Sequence, residues 1–446
     1  MLRPFLAVVL AVACLAQAQA AAPAAKPHIV VFLVDDMGYA DAGFMGSREI
    51  QTPNLDRLAA AGSVLKSFYV QPVCSPTRSC LMTGRYVAHT GVYTVVRPNA
   101  KWGLPVEERT LAQALRDSGY ATAIVGKWHL GEFEAPFRPM KRGFDQQYGL
   151  WFGMVDHFTH RRGKQLDWHR NDEPSQDEGY STHLLSEEAC RVVREHREKP
   201  LFLYVPFNAV HAPYQVPEKY RAPYGSLSGN RRTYAGMISA VDEAVGKIVA
   251  ALKEKGMLEN TLILFSSDNG GPAPGRVTSN GPLRAGKGTI YEGGIRACAF
   301  ASWPGKIPAG SIDEPLHIVD WYPTLLRLAG ASTEQKRPID GKDIWPVLAE
   351  KAKSPHDSIL LCGTSPERVA IRSGHWKLLL NASERDAEDA GPEKGEQRTA
   401  SNIELYDLSQ DIGEKNNLAP SQGAKVKELR EKLEAWRKGF VRPGGE

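Results

Sequence analysis

The stretch Cys74-Ser75-Pro76-Thr77-Arg78 has the spacing most suggestive of chemistry in this chain. An apolar run from Val64 to Val70 leads into it through Gln71-Pro72-Val73, and a helix-like segment from Pro76 to Met82 leads out. Proline suits the first turn of a helix, where its missing N–H would have no partner anyway. The pattern therefore predicts Cys74 just ahead of a helix N-terminus, in the positive field of unpaired N–H groups. Arg78 lies one turn further on, and helical side chains lean back toward the N-terminus, so its guanidinium can reach over Cys74. A nucleophile placed there faces a bound oxyanion with a fixed cation beside it. Taken alone, the triplet Cys74, Pro76 and Arg78 is also compatible with a structural cysteine at a helix start, so the other polar clusters must decide.

Asp35, Asp36, Asp268 and Asn269 supply hard oxygen ligands and no thiolate. That favours calcium or magnesium over zinc, the competing reading being turn capping by Asp and Asn. The Gly270-Gly271 pair lets the backbone turn sharply after Asn269. A divalent ion held here could bind a substrate oxygen and favour an ionised hydroxyl on residue 74. Lys127, His129, His211 and Lys287 complete the set, the last in a glycine-flanked loop from Pro282 to Gly288. Singly, each is more often a surface lysine or a satisfied histidine. Together they offer the several donors a tetrahedral anion needs, and histidine exchanges protons near neutral pH.

These residues need a scaffold. Five apolar runs punctuate the chain: His28 to Val34, Val64 to Val70, Ala121 to Val125, Leu201 to Phe207, and Leu262 to Phe265. Continuous apolarity suits strands buried on both faces, as in parallel sheets. Helical patterns lie between them, from Thr52-Pro53 to Gly62, from Thr110 to Ser118, and along the stripe Tyr234, Ile238, Val241, Val245, Ile248 and Leu252 to Gly256. The alternation predicts a doubly wound α/β domain over 27–345. Each run ends in a polar cluster, and open α/β sheets bind ligands outside the carboxyl ends of their strands, so the clusters are expected to meet in one crevice. The region from Phe137 to Tyr180 reads as irregular. Its Trp151, Phe152, His157, His160, Arg161, Arg162, Lys164, Trp168 and His169 suit either a substrate wall or an ordinary insertion. Over 346–446 the pattern changes to paired strands at Val369–Arg372 and Trp376–Leu380, a polar loop from Ser383 to Ser401, a strand at Glu404–Leu408 and a helix lined by Val426, Leu429, Leu433 and Trp436. That predicts a small C-terminal α+β subdomain.

The stretch C-S-P-T-R-S-C-L-M-T-G-R resembles the signature of type I sulfatases, and the likeness runs from about His28 to Trp436. The segments Pro200–Tyr204, Tyr234–Met237 and Glu292–Arg296 look most like the arylsulfatase B, or N-acetylgalactosamine-4-sulfatase, branch. The resemblance implies an alkaline-phosphatase-like fold with a mixed, mainly parallel sheet and a small C-terminal antiparallel sheet plus helix. It implies that Cys74 is oxidised to Cα-formylglycine (3-oxoalanine) by a formylglycine-generating enzyme. It also implies that one calcium ion is held by Asp35, Asp36, Asp268, Asn269 and residue 74, and that Arg78, Lys127, His129, His211 and Lys287 form the sulfate site. His211 or Lys287 is then the proton donor to the leaving alcohol, and His129 the base of the second step. The expected reaction is sulfuric ester hydrolysis on a sulfated small molecule or glycan. Phosphonate or phosphate monoester hydrolysis on the same scaffold is one alternative, and a non-catalytic sulfated-glycan binder is the other.

With 446 residues and a net charge of +4, the chain carries no argument for nucleic-acid binding. No segment beyond the N-terminus is apolar for long enough to span a bilayer. Met1-Leu2-Arg3, the apolar run from Phe5 to Ala16 and Ala18-Gln19-Ala20 read as a signal peptide over 1–20, hence an exported protein, periplasmic or secreted. With Cys14 in that leader and Cys74 assigned to chemistry, Cys80, Cys190, Cys298 and Cys362 remain, either as two bridges of unreadable pairing or as buried free thiols.

Overall fold

The computed structural model describes residues 25–384 and 402–444. The signal-peptide reading with Cys14, and all but the start of the polar loop from Ser383 to Ser401, lie outside the described residues. The strands in chain order are β1 (His28–Val34), β2 (Ser63–Leu65), β3 (Phe68–Tyr69), β4 (Ala121–Val125) and β5 (Gln146–Gly149). Four two-residue strands follow: β6 (Arg161–Arg162), β7 (Gln165–Leu166), β8 (His169–Arg170) and β9 (Glu173–Pro174). Then come β10 (Leu201–Pro206), β11 (Thr261–Ser267), β12 (Ala299–Ser302), β13 (Gly310–Ile312) and β14 (Leu316–His317). The last four are β15 (Ile359–Cys362), β16 (Val369–Ser373), β17 (Trp376–Leu380) and β18 (Ile403–Asp407).

A ten-stranded sheet runs in the order β13-β2-β12-β11-β1-β10-β4-β5-β8-β9. Its centre, β11-β1-β10-β4-β5, is parallel, and antiparallel pairings flank it at β11–β12 and β5–β8. Because successive strand residues point to opposite faces, β1 serves two cores. Ile29, Val31 and Leu33 pack toward the helix Leu111–Asp117, and Val30, Phe32 and Val34 toward the long helix Gly229–Glu254. This is the doubly wound, mainly parallel fold expected. The second sheet, β15-β16-β17-β18, is antiparallel. Leu429 and Leu433 of the helix Gly423–Arg437 share one buried cluster with that sheet and with one face of β1.

Three local expectations need correction. The run Val64–Val70 is not one parallel strand: β2 pairs antiparallel with β12, and β3 pairs with β14 in a separate two-stranded sheet. Between them the Lys66 carbonyl accepts from Arg296 Nε at 2.7 Å and from the Tyr39 hydroxyl at 3.0 Å, and side-chain donors replace a strand partner there. The 137–180 region is not irregular throughout, since β5 extends the parallel centre and β8 and β9 continue the sheet edge. The helix also begins at Cys74 itself, with Val73 as N-cap, rather than after it.

Candidate active site

The register of β1 and β11 aligns Val34 with Ser267, so Asp35 and Asp268 leave the sheet side by side. Their backbones stay joined, with Asp268 N donating to Val34 O at 3.0 Å and Asp36 N to Asp268 Oδ1 at 3.2 Å. Lys127 follows β4 by two residues, His211 follows β10, and Lys287 enters from the loop ahead of the helix Glu292–Ile295. Asp36 and His129 both hold positive φ, at 67° and 57°. Non-glycine residues in that region mark places where surrounding contacts over-determine the backbone.

The sequence-selected side chains form one connected cluster. Cys74 Sγ donates to Asp35 Oδ1 at 3.2 Å, and Lys127 Nζ donates to Asp35 Oδ2. Arg78 spans the floor, with Nη2 donating to Asp268 Oδ2 at 2.8 Å and Nη1 to the Lys127 carbonyl at 2.8 Å. Lys287 Nζ donates to Asp36 Oδ2 at 3.0 Å and lies 3.2 Å from His211 Nε2, which is itself 3.5 Å from Asp36 Oδ2. Asn269 Nδ2 donates to Asp36 Oδ1 at 2.7 Å. His129 joins less directly: its carbonyl accepts from Ser75 Oγ at 2.7 Å, and its Nε2 lies 3.1 Å from the Val96 carbonyl.

None of these ten residues is more than 8 % exposed. Buried charge must be compensated, and three carboxylates (Asp35, Asp36, Asp268) face three cations (Arg78, Lys127, Lys287). The crowding splits the acids. Burial opposes ionisation of Asp35, but Lys127, His211, Arg78 and Lys287 outweigh it and hold its carboxyl below the usual range. Burial and the neighbouring Asp35 push Asp268 up to about 7, as two close carboxylates do when they share a site. Burial, then Asp268 and Asp35, raise the Cys74 thiol well above its ordinary value, so it stays protonated. Burial with Lys127 and Arg78 nearby keeps the His129 imidazole neutral.

The donor set fits a hard divalent cation. Asp35, Asp36, Cys74 and His211 each offer an atom within 4.8 Å of the others. Asn269 Oδ1 is buried with no hydrogen-bond partner among the described residues. An orphaned amide oxygen beside converging carboxylates is what an oxygen-liganded ion would satisfy.

Most of the residues read as a substrate wall or an ordinary insertion are buried. Trp168 is fully buried, and His160 stacks on it with centroids 4.3 Å apart. His157 Nδ1 lies 2.9 Å from Ser181 Oγ and its Nε2 3.1 Å from the His211 carbonyl. Cys80, Cys190, Cys298 and Cys362 are buried free thiols. Sequence reasoning named Trp151 and Phe152 but missed Gly153, which lies against His129: His129 N donates to the Trp151 carbonyl at 3.0 Å, and a Cβ on Gly153 would fall 2.5 Å from His129 Cε1. It also missed the buried trio Glu292, Lys377 and Glu414 behind the Lys287 loop. Lys377 lies inside an apolar run, the one sequence cue to a lysine with buried partners.

Comparison with known proteins agrees with this geometry. The Sulfatase family model matches residues 27–331. Arylsulfatase J of Mus musculus is 38% identical over 459 residues, covering 93% of this chain and 76% of that protein. Arylsulfatase A of Homo sapiens is 34% identical, covering 91% and 85%. Among solved structures, Ps i-CgsB in complex with k-i-k-neocarrahexaose superposes with a TM-score of 0.85 at 33% identity, covering 94% of each chain. The names differ among these relatives, so they show a family and not a branch of it. The chain belongs to the type I sulfatase family and is a sulfatase.

Proposed function

We propose that this sulfatase removes sulfate from a sulfated carbohydrate, with Cys74 matured to Cα-formylglycine and one calcium ion held by Asp35, Asp36, Asp268, Asn269 and residue 74. The observation that carries the reading is the position of Cys74, buried at a helix N-terminus and bonded to Asp35 within a charge-balanced cluster. As it stands the thiol is kept neutral and is a weak nucleophile. Matured, the hydrated aldehyde supplies two hydroxyls on one carbon, one to attack sulfur and one whose deprotonation releases sulfate and restores the aldehyde. The cation, when bound, supplies electrophilic stabilisation of a sulfuryl oxygen. Because Cys74 is 1 % exposed, a maturation enzyme must reach it before the site closes.

The chain's own residues do the rest. Arg78, Lys127 and Lys287 present fixed positive charge to the sulfuryl oxygens, in a buried site where such charges act strongly. His211 and Lys287 lie 3.2 Å apart, so either can deliver the proton the departing alcohol oxygen needs as its bond to sulfur breaks. The neutral His129 can accept the proton from the second hydroxyl. Export to the periplasm or medium is part of this proposal, as is a division into a catalytic domain over 27–345 and a C-terminal subdomain over 346–446. Among the described residues no helix is long and apolar enough to cross a membrane.

The test is co-expression with a formylglycine-generating enzyme, followed by mass measurement of the peptide containing residue 74 and by sulfate release from 4-nitrophenyl sulfate. An aldehyde mass with sulfate release, lost in Cys74→Ala, is expected. A thiol mass under those conditions, or undiminished release by Cys74→Ala, would refute the proposal.

A further inference from the structure

Next to His129, whose N–H donates to the Trp151 carbonyl, the chain carries positive charge that the chemistry above does not use. Trp151 is fixed there on several sides. The Asp167 carboxylate accepts from Trp151 N at 3.0 Å and Phe152 N at 2.7 Å, and its Oδ1 lies 3.1 Å from His169 Nε2. The His169 ring stacks on the indole with centroids 3.7 Å apart and planes within 2°. The Arg138 guanidinium carbon lies 4.7 Å from the same ring centroid. Arg138 Nε donates to the Glu132 carbonyl at 2.9 Å, and Nη2 reaches the Phe133 carbonyl at 3.5 Å.

Among the described residues, the hydrogen bonds of Arg138 go to these two backbone carbonyls, and it forms no ion pair with a carboxylate. Two further arginines are connected to the same segments, and neither makes an ion pair among the described residues. Arg97 follows Val96, whose carbonyl lies 3.1 Å from His129 Nε2, and Arg162 lies within electrostatic reach of Glu132. Two acids of these segments are committed elsewhere: Glu132 is buried with Oε1 accepting from Asn99 N at 2.7 Å, and Asp167 is tied to the backbone as above. A guanidinium laid on an indole and steadied by carbonyls is pre-organised for an anion, because little side-chain freedom remains to be lost on binding.

We infer that Arg138, aided by Arg97 and Arg162, recognises a second anionic group, sulfate or carboxylate, on the glycan whose sulfate ester is cut. This rests on the carbohydrate-sulfatase reading above and narrows it to polyanionic chains. Arg138 is a specificity-determining residue in this account and takes no part in bond breaking.

The experiment measures turnover of 4-nitrophenyl sulfate, which carries one anionic group, and its competitive inhibition by tetrasaccharides from carrageenan (sulfate only) and from chondroitin sulfate (sulfate and carboxylate). Arg138→Met should raise the inhibition constant of at least one tetrasaccharide by about tenfold or more, the size of a lost charge-assisted pair. Its kcat/KM on 4-nitrophenyl sulfate should stay within about twofold of wild type, and Arg138→Lys should fall between. Which tetrasaccharide responds tells sulfate from carboxylate. Should Arg138→Met not fold, the exposed Arg97→Ala carries the test, with a rise of about threefold expected. Unchanged inhibition constants, absence of inhibition of the wild type by either tetrasaccharide, or an equal loss on 4-nitrophenyl sulfate would overturn the inference. Failure of the wild type to cleave 4-nitrophenyl sulfate would overturn the sulfatase chemistry beneath it as well, a result distinguishable from all the others.

Discussion

Replacing Lys377 with methionine should destabilise the fold by about 1.4 kcal/mol at pH 8 and by far less at pH 5.5. Lys377 is fully buried on β17, its Nζ 3.0 Å from Glu292 Oε1 and 2.7 Å from Glu414 Oε1. Methionine keeps most of the stem's packing and removes the charge. Glu292 would retain Arg296 at 3.2 Å and the Tyr69 hydroxyl at 2.8 Å, whereas Glu414 would retain the Glu292 backbone N–H at 2.7 Å. Glu414 is therefore the carboxylate left stranded. Burial first, and then Glu292, already push it up to about 7 from 4.5 despite the lysine. A raised pKa in the folded state means that the folded protein binds more protons than the unfolded chain between about 4.5 and 7, so this group's contribution falls as pH rises through that window. Without the lysine the window extends upward. At pH 8, one unit above the wild-type value, the ionisation that Lys377 permits contributes about 1.36 kcal/mol, and the variant forfeits it. At pH 5.5 Glu414 is protonated with or without the lysine, and most of the penalty disappears. Urea unfolding reads this directly, as a midpoint shift of about 0.5 M at pH 8 for a slope of about 3 kcal/mol/M. The double variant Lys377→Met/Glu414→Gln removes the stranded charge and should recover most of the loss. Equal destabilisation at the two pH values, or a double variant no more stable than the single one, would refute the reasoning. The effect bears on the site, because Glu292 opens the short helix whose Gly294 carbonyl accepts from Gly270 N at 2.9 Å, next to Asn269.

The other predictions concern the site itself. Gly153→Ala places a Cβ 2.5 Å from His129 Cε1 and 2.6 Å from its Nε2; steady-state kinetics should show kcat reduced by about tenfold or more through displacement of the imidazole, with a thermal midpoint close to wild type. Cys74→Ser should lower sulfate release by about a thousandfold or more while leaving the circular dichroism spectrum unchanged. Dialysis against a chelator should lower the thermal midpoint and abolish turnover, and calcium at about 100 times its dissociation constant should restore about 2.7 kcal/mol of stability. Asn269→Ala should weaken that calcium response, which differential scanning calorimetry would measure.

Much of this site was readable along the chain because its makers are local. Strands buried on both faces appear as uninterrupted apolar runs, so β1, β4, β10 and β11 stood out, and the residues just past their ends were the candidates. Asp35, Asp36, Lys127, His211, Asp268 and Asn269 all sit at such ends, and Pro76 announced the helix that carries Cys74 and Arg78. The run Val64–Val70 misled because the break in it is made by Arg296, more than two hundred positions away, whose side chain bonds the Lys66 carbonyl.

The sequence by itself determined which residue types stand at which strand ends, since periodicity and turn chemistry operate over a few neighbours. Only the folded chain decided the pairings: that Arg78 joins Asp268 rather than reaching over Cys74 alone, that Gly153 leaves room for His129, that Arg138 lies on Trp151, and that Glu414 shares Lys377 with Glu292. Those contacts link distant positions, and they are selected by how two cores pack against one sheet, a choice that no local pattern of residues contains.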